Sequence, residues 1–113
     1  MKWITATNLE QWAATIGSRT ELSGMIAALV RASAKEIGAY RFPTGDFAQL
    51  PGYDGFLDVK GVPPWIPNGL SVWEFGTGED PEAKAANDYD QRTKNPRNVD
   101  PASATFVFVT PRP

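Results

Sequence analysis

Residues 51–84 read PGYDGFLDVKGVPPWIPNGLSVWEFGTGEDPEAK and contain the segments that decide the fold. Gly55–Val59 and Leu70–Phe75 are short, rich in β-branched and aromatic residues, and bounded by Gly, Pro or Asn, which is typical of β-strands. A helix start follows the second strand, because Asp80 can cap a helix whose first residue is Pro81. The stretch therefore predicts two strands followed by a helix.

Two carboxylates, Asp54 and Glu74, lie in or beside these strands. Glu74 stands between Trp73 and Phe75, so its side chain belongs to the opposite face of the strand, with Val72. A buried carboxylate without a partner costs several kcal/mol, and a shared divalent cation would offset that cost. Mg²⁺ prefers oxygen ligands from one or two carboxylates together with substrate phosphate. The pair therefore predicts a metal-dependent phosphodiesterase site.

Asp54 also has a simpler interpretation. As an isolated dipeptide, Asp54-Gly55 is a common turn signal of β-hairpins. In the functional interpretation, Asp54 opens a strand and Gly55 lets a ligand or another backbone approach closely. Only the pairing with Glu74 favours a ligand role for Asp54.

Helices are predicted both before and after the strands in the sequence. Asn8 can cap a short first helix that ends at Gly17. A capping box that begins at Ser18 then predicts a longer helix over Ser18–Ile37. After the strands, the third helix is predicted over Pro81–Lys94.

A short extended piece around Tyr40–Phe42 precedes the two strands, and a final strand over Thr105–Thr110, predicted to be buried, completes the order ααβββαβ. The connection through the third helix implies that this strand lies parallel to the strand of Glu74. We therefore expect an α/β (α+β) fold, with a mixed sheet of about four strands and helices on both faces.

Composition excludes several chemistries. The chain has 113 residues, enough for one domain with one core, and it contains no Cys and no His. A disulfide framework, a Cys/His zinc site and a Ser-His or Cys-His nucleophile pair are therefore excluded. The net charge of −2 means that phosphate contacts would need a local basic cluster. Apolar runs are too short to span a bilayer and the N-terminus lacks a signal core, so we expect a cytoplasmic protein with no membrane partner.

Polar residues outside the strands have two interpretations each. Lys84, Asp88 and Gln91 or Arg92 recur at helical spacing, which is typical of a solvated, salt-bridged helix face. In the functional interpretation, Lys84 points towards Glu74, and Gln91, Arg92 and Lys94 face a phosphate backbone. Glu36 is either an exposed residue near a helix end or a third carboxylate near the metal.

The loop between the strands contains Trp65 and Ile66. Aromatic residues usually belong to a core, so we expect both side chains to be packed under the loop. The alternative is that Trp65 is exposed as a stacking platform for a nucleic-acid base.

The chain resembles the restriction-endonuclease-like PD-(D/E)xK nucleases, whose core has the order αβββαβ. It resembles more narrowly an N-terminal domain of large bacterial proteins in anti-phage defence, some of which carry ATPase modules. The motifs behind this resemblance are Phe42-Pro43-x-Gly45-Asp46, Pro51-Gly52-Tyr53-Asp54-Gly55, Val72-Trp73-Glu74-Phe75-Gly76-Thr77, Lys84-Ala85, Asp88-Tyr89, Arg92-Thr93 and the segment from Thr105 to Arg112.

The resemblance implies that Asp54 and Glu74 are catalytic and bind Mg²⁺ or Mn²⁺. The family places a Lys two residues after the Glu, where this sequence has Gly76, so the resemblance implies Lys84 as a migrated catalytic lysine. It further implies hydrolysis of nucleic acid, DNA rather than RNA, by a single domain over residues 1–113 that is the N-terminal part of a longer protein and is able to form oligomers. The alternative is a catalytically inactive module of the same fold that docks a partner or the rest of a larger chain.

Overall fold

A computed structural model describes residues 4–15, 17–42, 53–60, 65–97 and 99–113. Its helices and strands follow the order ααβββαβ, which confirms the expected α+β class. They are α1 (Ala6–Ala13), α2 (Ser18–Ser33), β1 (Lys35–Arg41), β2 (Gly55–Lys60), β3 (Gly69–Phe75), α3 (Pro81–Lys94) and β4 (Thr105–Val109). The resemblance motifs at residues 43–46 and 51–52 lie outside the described residues. No helix within the described ranges is long and apolar enough to cross a membrane.

The four strands form one mixed sheet in the order β1-β2-β3-β4. The first two pairings are antiparallel and the pairing of β3 with β4 is parallel. The parallel pairing confirms the prediction for the last strand, because the chain must cross over through α3 before it can run in the same direction as β3.

The core lies on one face of the sheet, where α2 packs. Buried side chains of the helix meet the alternate, inward-facing residues of β2 and β3. Trp73 is 4% exposed, and its indole N–H donates to Ser71 Oγ over 2.8 Å. The buried core cluster contains Leu22, Ile26, Ala27, Val30, Phe42, Leu57, Val59, Ile66 and Trp73.

Helix α3 lies on the opposite face. Tyr89 contacts the Phe106 ring of β4 edge-on, with the ring centroids 5.5 Å apart. Asp80 accepts a hydrogen bond from the Ala83 N–H and Pro81 occupies the first turn, as predicted. The two faces of the sheet are therefore covered by different helices, and Val72 and Glu74 belong to the α3 face.

The predicted end of α2 is wrong. The helix stops at Ser33 instead of Ile37, and β1 begins at Lys35, before the extended piece predicted around Tyr40–Phe42. Ile37, expected on the apolar stripe of the helix, pairs with Val59 of β2 and is 44% exposed. Pairing with β2 satisfies the backbone of this segment, so tertiary hydrogen bonding overrides the helical spacing of the side chains.

Two predicted helix caps are also wrong. Thr5 caps α1, and Asn8 is the third helical residue of the capping box: its N–H donates to Thr5 Oγ1, and its Oδ1 accepts from the Thr5 N–H. Ser18 is the first residue of α2, and its hydroxyl donates to the Ala13 and Thr15 carbonyl oxygens. A hydroxyl turned towards the preceding chain is no longer placed to accept from the N–H groups of its own helix.

Burial differs from the prediction at two aromatic segments. Trp65 is 79% exposed, whereas Ile66 is 4% exposed, so the loop packs only one of the two side chains expected beneath it. Residues 105–109 are exposed or half-buried, not a buried strand. β4 is the edge strand of the sheet, which leaves one side of it without a neighbouring strand.

Gly55 allows the close approach of a side chain, not of the ligand or backbone suggested by the sequence. The ring of Phe42 packs where a Cβ of residue 55 would lie. The glycine therefore serves the packing of Phe42 against the sheet, and Phe42 in turn meets Trp73 edge-on with centroids 5.6 Å apart.

Candidate functional site

Glu74 is buried on the α3 face of β3 and is paired with an arginine. The residue is 4% exposed. Its Oε1 accepts a hydrogen bond from Arg92 Nε over 2.7 Å, and the Arg92 side chain is 18% exposed. Arg92 lies on α3, so the packing of that helix on the sheet brings the cation to the carboxylate. A buried charge-assisted pair of this kind supplies the partner that a buried carboxylate requires.

Asp54 lies at the same end of the sheet. It immediately precedes Gly55, which pairs with Trp73 across the antiparallel β2–β3 ladder. Asp54 Oδ2 accepts the backbone N–H of Phe75 over 2.8 Å. The register therefore places Asp54 beside the C-terminal end of β3, next to Glu74.

The two carboxyl groups interact with each other. Burial raises the pKa of Glu74 from 4.5 to about 7, and the hydrogen bond from Arg92 opposes that rise. The negative charge of Asp54, and a hydrogen bond to it that only protonated Glu74 can donate, also contribute to this raised pKa. Because Gly55 pairs with Trp73, Asp54 lies opposite Glu74 across the β2–β3 ladder, so a cation at this end of the sheet could contact both carboxyl groups.

Tyr53 is a member of the site that sequence reasoning missed. The Arg92 guanidinium lies over the Tyr53 ring, 4.9 Å from its centroid. The Tyr53 hydroxyl donates to the Pro96 carbonyl oxygen over 3.0 Å. Tyr53 is therefore held through the face of its ring and through its hydroxyl, and the contact with Arg92 fixes the guanidinium beside Glu74. The position of Tyr53 directly before Asp54 was the available signal.

The charged end of Lys84 does not point towards Glu74, as the functional interpretation predicted. Its ammonium group pairs with the buried carboxylate of Asp88, one turn along α3. A Cβ at Gly76 would lie 3.2 Å from Lys84 Cγ, so the stem of the lysine passes the position where the resemblance implies a lysine. Lys84 therefore borders the site through its stem, while its charge is directed to Asp88.

Gly76 has no space for a side chain. A Cβ there would lie 2.7 Å from the ring carbon Cζ of Phe108. We expect Gly76→Ala to lower the free energy of unfolding by about 1–3 kcal/mol, because the ring and the strand that carries it must move. Urea denaturation measures the change. Gly78→Ala is the matched control, since a Cβ at residue 78 meets nothing within 4 Å; equal losses in both variants would contradict the assignment.

The remaining candidates lie outside the cluster. Glu36 is exposed near the start of β1, with a φ of 47°. β2 separates this strand from β3, and Lys35 pairs with Lys60 at the far end of β2 from Gly55. Gln91 is exposed on α3. Lys94, expected to face phosphate, pairs with Asp90 over 2.8 Å.

The cluster could hold a cation through oxygen ligands. In the part of the chain that the structure describes, no three acidic side chains come together as a metal site. Asp54 and Glu74 therefore provide two carboxylates, the number that Mg²⁺ commonly takes from a protein when water and substrate phosphate complete its shell. The guanidinium of Arg92 shows that Glu74 accepts a positively charged partner here.

A cleft of about 330 Å³ opens beside the cluster. It lies between the second half of α3, the sheet and the segment that leads to β4. Its lining is mostly apolar and aromatic, and Arg92 reaches it from the side of Glu74. The lining includes Tyr53, Val72, Tyr89, Arg92, Pro96 and Phe106.

In comparisons with known proteins, no family model, no curated protein and no solved structure matches this chain. The function therefore has to be argued from the geometry of the site itself.

Proposed function

We propose that this domain hydrolyses phosphodiester bonds of nucleic acid, DNA rather than RNA, with the help of Mg²⁺ or Mn²⁺. The observation that carries the proposal is that Asp54, directly before β2, lies beside Glu74 of β3, next to an open cleft. The order ααβββαβ agrees with the order that the resemblance to PD-(D/E)xK nucleases implies. That resemblance also suggests the setting, an effector domain of bacterial defence.

Asp54 and Glu74 would hold the ion through their carboxylate oxygens. Bound Mg²⁺ would polarise a phosphoryl oxygen and lower the pKa of a bound water. Asp54 is oriented for this task, because the Phe75 N–H fixes one of its oxygens. Glu74 is shielded from bulk water by its burial between β3 and α3. Rigid support of this kind keeps ligands in a productive geometry.

Arg92 has two roles in this proposal. In the free protein it neutralises Glu74. Where Glu74 held a metal ion instead, the Arg92 guanidinium would turn to the substrate phosphate and would stabilise the charge that develops there. Lys84 borders the site through its stem, and its ammonium group would serve phosphate only after leaving Asp88.

Arg92→Gln should therefore strengthen metal binding to the free protein. The variant removes the cation that competes for Glu74, and a hydrogen bond to a charged group contributes about 1.5–3 kcal/mol. We expect the Kd for Mn²⁺ to fall about tenfold or more, as measured by isothermal titration calorimetry. A weaker affinity in the variant would show that Arg92 supports the metal site instead of competing for it.

Nicking of supercoiled plasmid tests the proposed activity directly. The wild-type protein should relax the plasmid in Mg²⁺ or Mn²⁺ and be inactive in EDTA. Asp58→Asn, which alters an exposed carboxylate on β2, is the control and should retain the activity. Nicking that persists unchanged in EDTA would contradict a metal-dependent mechanism.

A catalytically inactive interaction module is the second candidate. Two observations favour it: Arg92 already neutralises Glu74, and Trp65 is 79% exposed, as expected for a residue that anchors a partner. A metal titration separates the two candidates. Stabilisation by Mn²⁺ that is lost in Asp54→Ala supports the nuclease, whereas no stabilisation by any divalent ion supports the interaction module.

A further inference from the structure

The cleft beside Arg92, named here the aromatic cleft, has walls suited to a flat ring. Tyr89 and Phe106 form one wall, in edge-to-face contact at 5.5 Å. Tyr53 lies on the side of the acidic pair, beneath the Arg92 guanidinium. The volume of about 330 Å³ lies at the lower end of the range for small-molecule sites. The cleft is therefore large enough for one planar group and is not filled by the described side chains.

Tyr89 is exposed but held in place. It is 58% exposed, although its ring rests against Phe106. Tyr89 lies on α3, three residues before Arg92 and one turn before Thr93. Its backbone is therefore part of a helix rather than of a loop. An exposed aromatic ring on a rigid element loses little conformational freedom when it stacks on a ligand.

Arg92, Glu74 and Arg97 are the charged groups at the Tyr53 end of the aromatic cleft, and the Arg92 guanidinium lies over the Tyr53 ring. Burial raises the pKa of Tyr53, as does the charge of Glu74, whereas the charges of Arg92 and Arg97 lower it. Arg97 is exposed and forms no ion pair with any carboxylate in the described ranges. A ligand that fits both features has a planar ring for the apolar walls and an anionic group for the arginines.

We propose that the aromatic cleft binds an unpaired nucleobase of the substrate strand, with the neighbouring phosphate at Arg92 and Arg97. This inference rests on the proposed function and names its substrate class, single-stranded or locally unpaired DNA. A base inside a duplex is stacked and paired, and it reaches such a cleft only after extrusion, which costs a few kcal/mol. Base–aromatic stacking depends little on sequence, so the site would favour unpaired strands without strong sequence preference.

Binding of fluorescently labelled oligonucleotides tests the inference. Fluorescence anisotropy in Ca²⁺ would compare one sequence as a single strand and as a hairpin duplex. The wild-type protein should prefer the single strand. Tyr89→Ala should weaken binding of the single strand about 10-fold, because stacking on an aromatic side chain contributes about 1–3 kcal/mol per base. Binding of the duplex should change little.

Further variants separate stacking from general damage. Tyr89→Phe keeps the ring and should bind like the wild type. Tyr89→Leu keeps an apolar side chain against Phe106 without the ring, and should show the same loss as Tyr89→Ala even where its thermal melt is unchanged. Leu29→Ala is the control, since Leu29 is also an exposed large apolar residue, at 55%, but does not line the cleft.

The possible outcomes distinguish this inference from the proposed function. Metal-dependent nicking by the wild type, together with equal single-strand affinity in Tyr89→Leu and the wild type, overturns the inference and leaves the nuclease proposal standing. Equal wild-type affinity for the single strand and the duplex also overturns it. A wild-type protein that neither binds DNA nor nicks it overturns both.

Discussion

Glu74→Gln is expected to reduce metal-dependent nicking about 10³-fold while the domain stays folded. A bound metal ion supplies several kcal/mol of charge stabilisation in the transition state, and each 1.36 kcal/mol corresponds to about a tenfold change in rate. Gln has the shape of Glu but not its charge, so it holds a divalent ion poorly. Its amide oxygen can still accept the Arg92 Nε–H that Glu74 accepts over 2.7 Å. Plasmid nicking over time, alongside a thermal melt, measures both expectations.

The melt determines what a loss of nicking means. If Glu74→Gln melts like the wild type and does not nick, Glu74 acts on the reaction. Full nicking by this variant would contradict the role of Glu74 as a metal ligand. Asp58→Asn again serves as the control, because it removes an exposed carboxylate from the neighbouring strand without touching the cluster.

The second large effect is a loss of stability as the pH rises. The pKa of Glu74 is 4.5 in its ordinary state and about 7 in the folded protein, mainly because of burial. Between these values the folded state holds a proton that the unfolded chain releases. The contribution of Glu74 to the free energy of unfolding is therefore fully present below about pH 4.5 and is lost as the pH rises through about 7. The difference amounts to about 3 kcal/mol at most.

Glu74→Gln isolates this contribution. Gln resembles the protonated acid at every pH, so the variant should lack the part of the pH dependence that Glu74 causes. Urea denaturation of both proteins between about pH 5 and about pH 8 measures the difference. The stability advantage of the variant should grow with pH across this window. A constant difference between the two proteins would contradict a raised pKa of Glu74.

Local sequence signals were sufficient for the elements that carry the acidic pair. Asp80 and Pro81 predicted the start of α3, and alternation along β3 placed Glu74 on the face away from Trp73. The convergence with Asp54 follows from the β2–β3 register, which an antiparallel pair with an apolar face specifies strongly. These features depend on neighbours in sequence or on a single pairing.

The features that escaped prediction depend on contacts between distant segments. The α2–β1 boundary was missed because β1 gains its hydrogen bonds from β2, and no local signal stops the helix at Ser33. Arg92 was expected to face phosphate, but its partner Glu74 lies 18 residues away and meets it only when α3 packs on the sheet. The aromatic cleft likewise forms only after α3 and β4 are in place.

A crystal structure with Mn²⁺, located by its anomalous scattering, would show whether Asp54 and Glu74 hold one cation together. We expect one Mn²⁺ ion within about 2.5 Å of an oxygen of Asp54 and an oxygen of Glu74, with the Arg92 guanidinium displaced from Glu74. A crystal grown at saturating Mn²⁺ that shows no ion there, with Arg92 Nε still bonded to Glu74 Oε1, would contradict it.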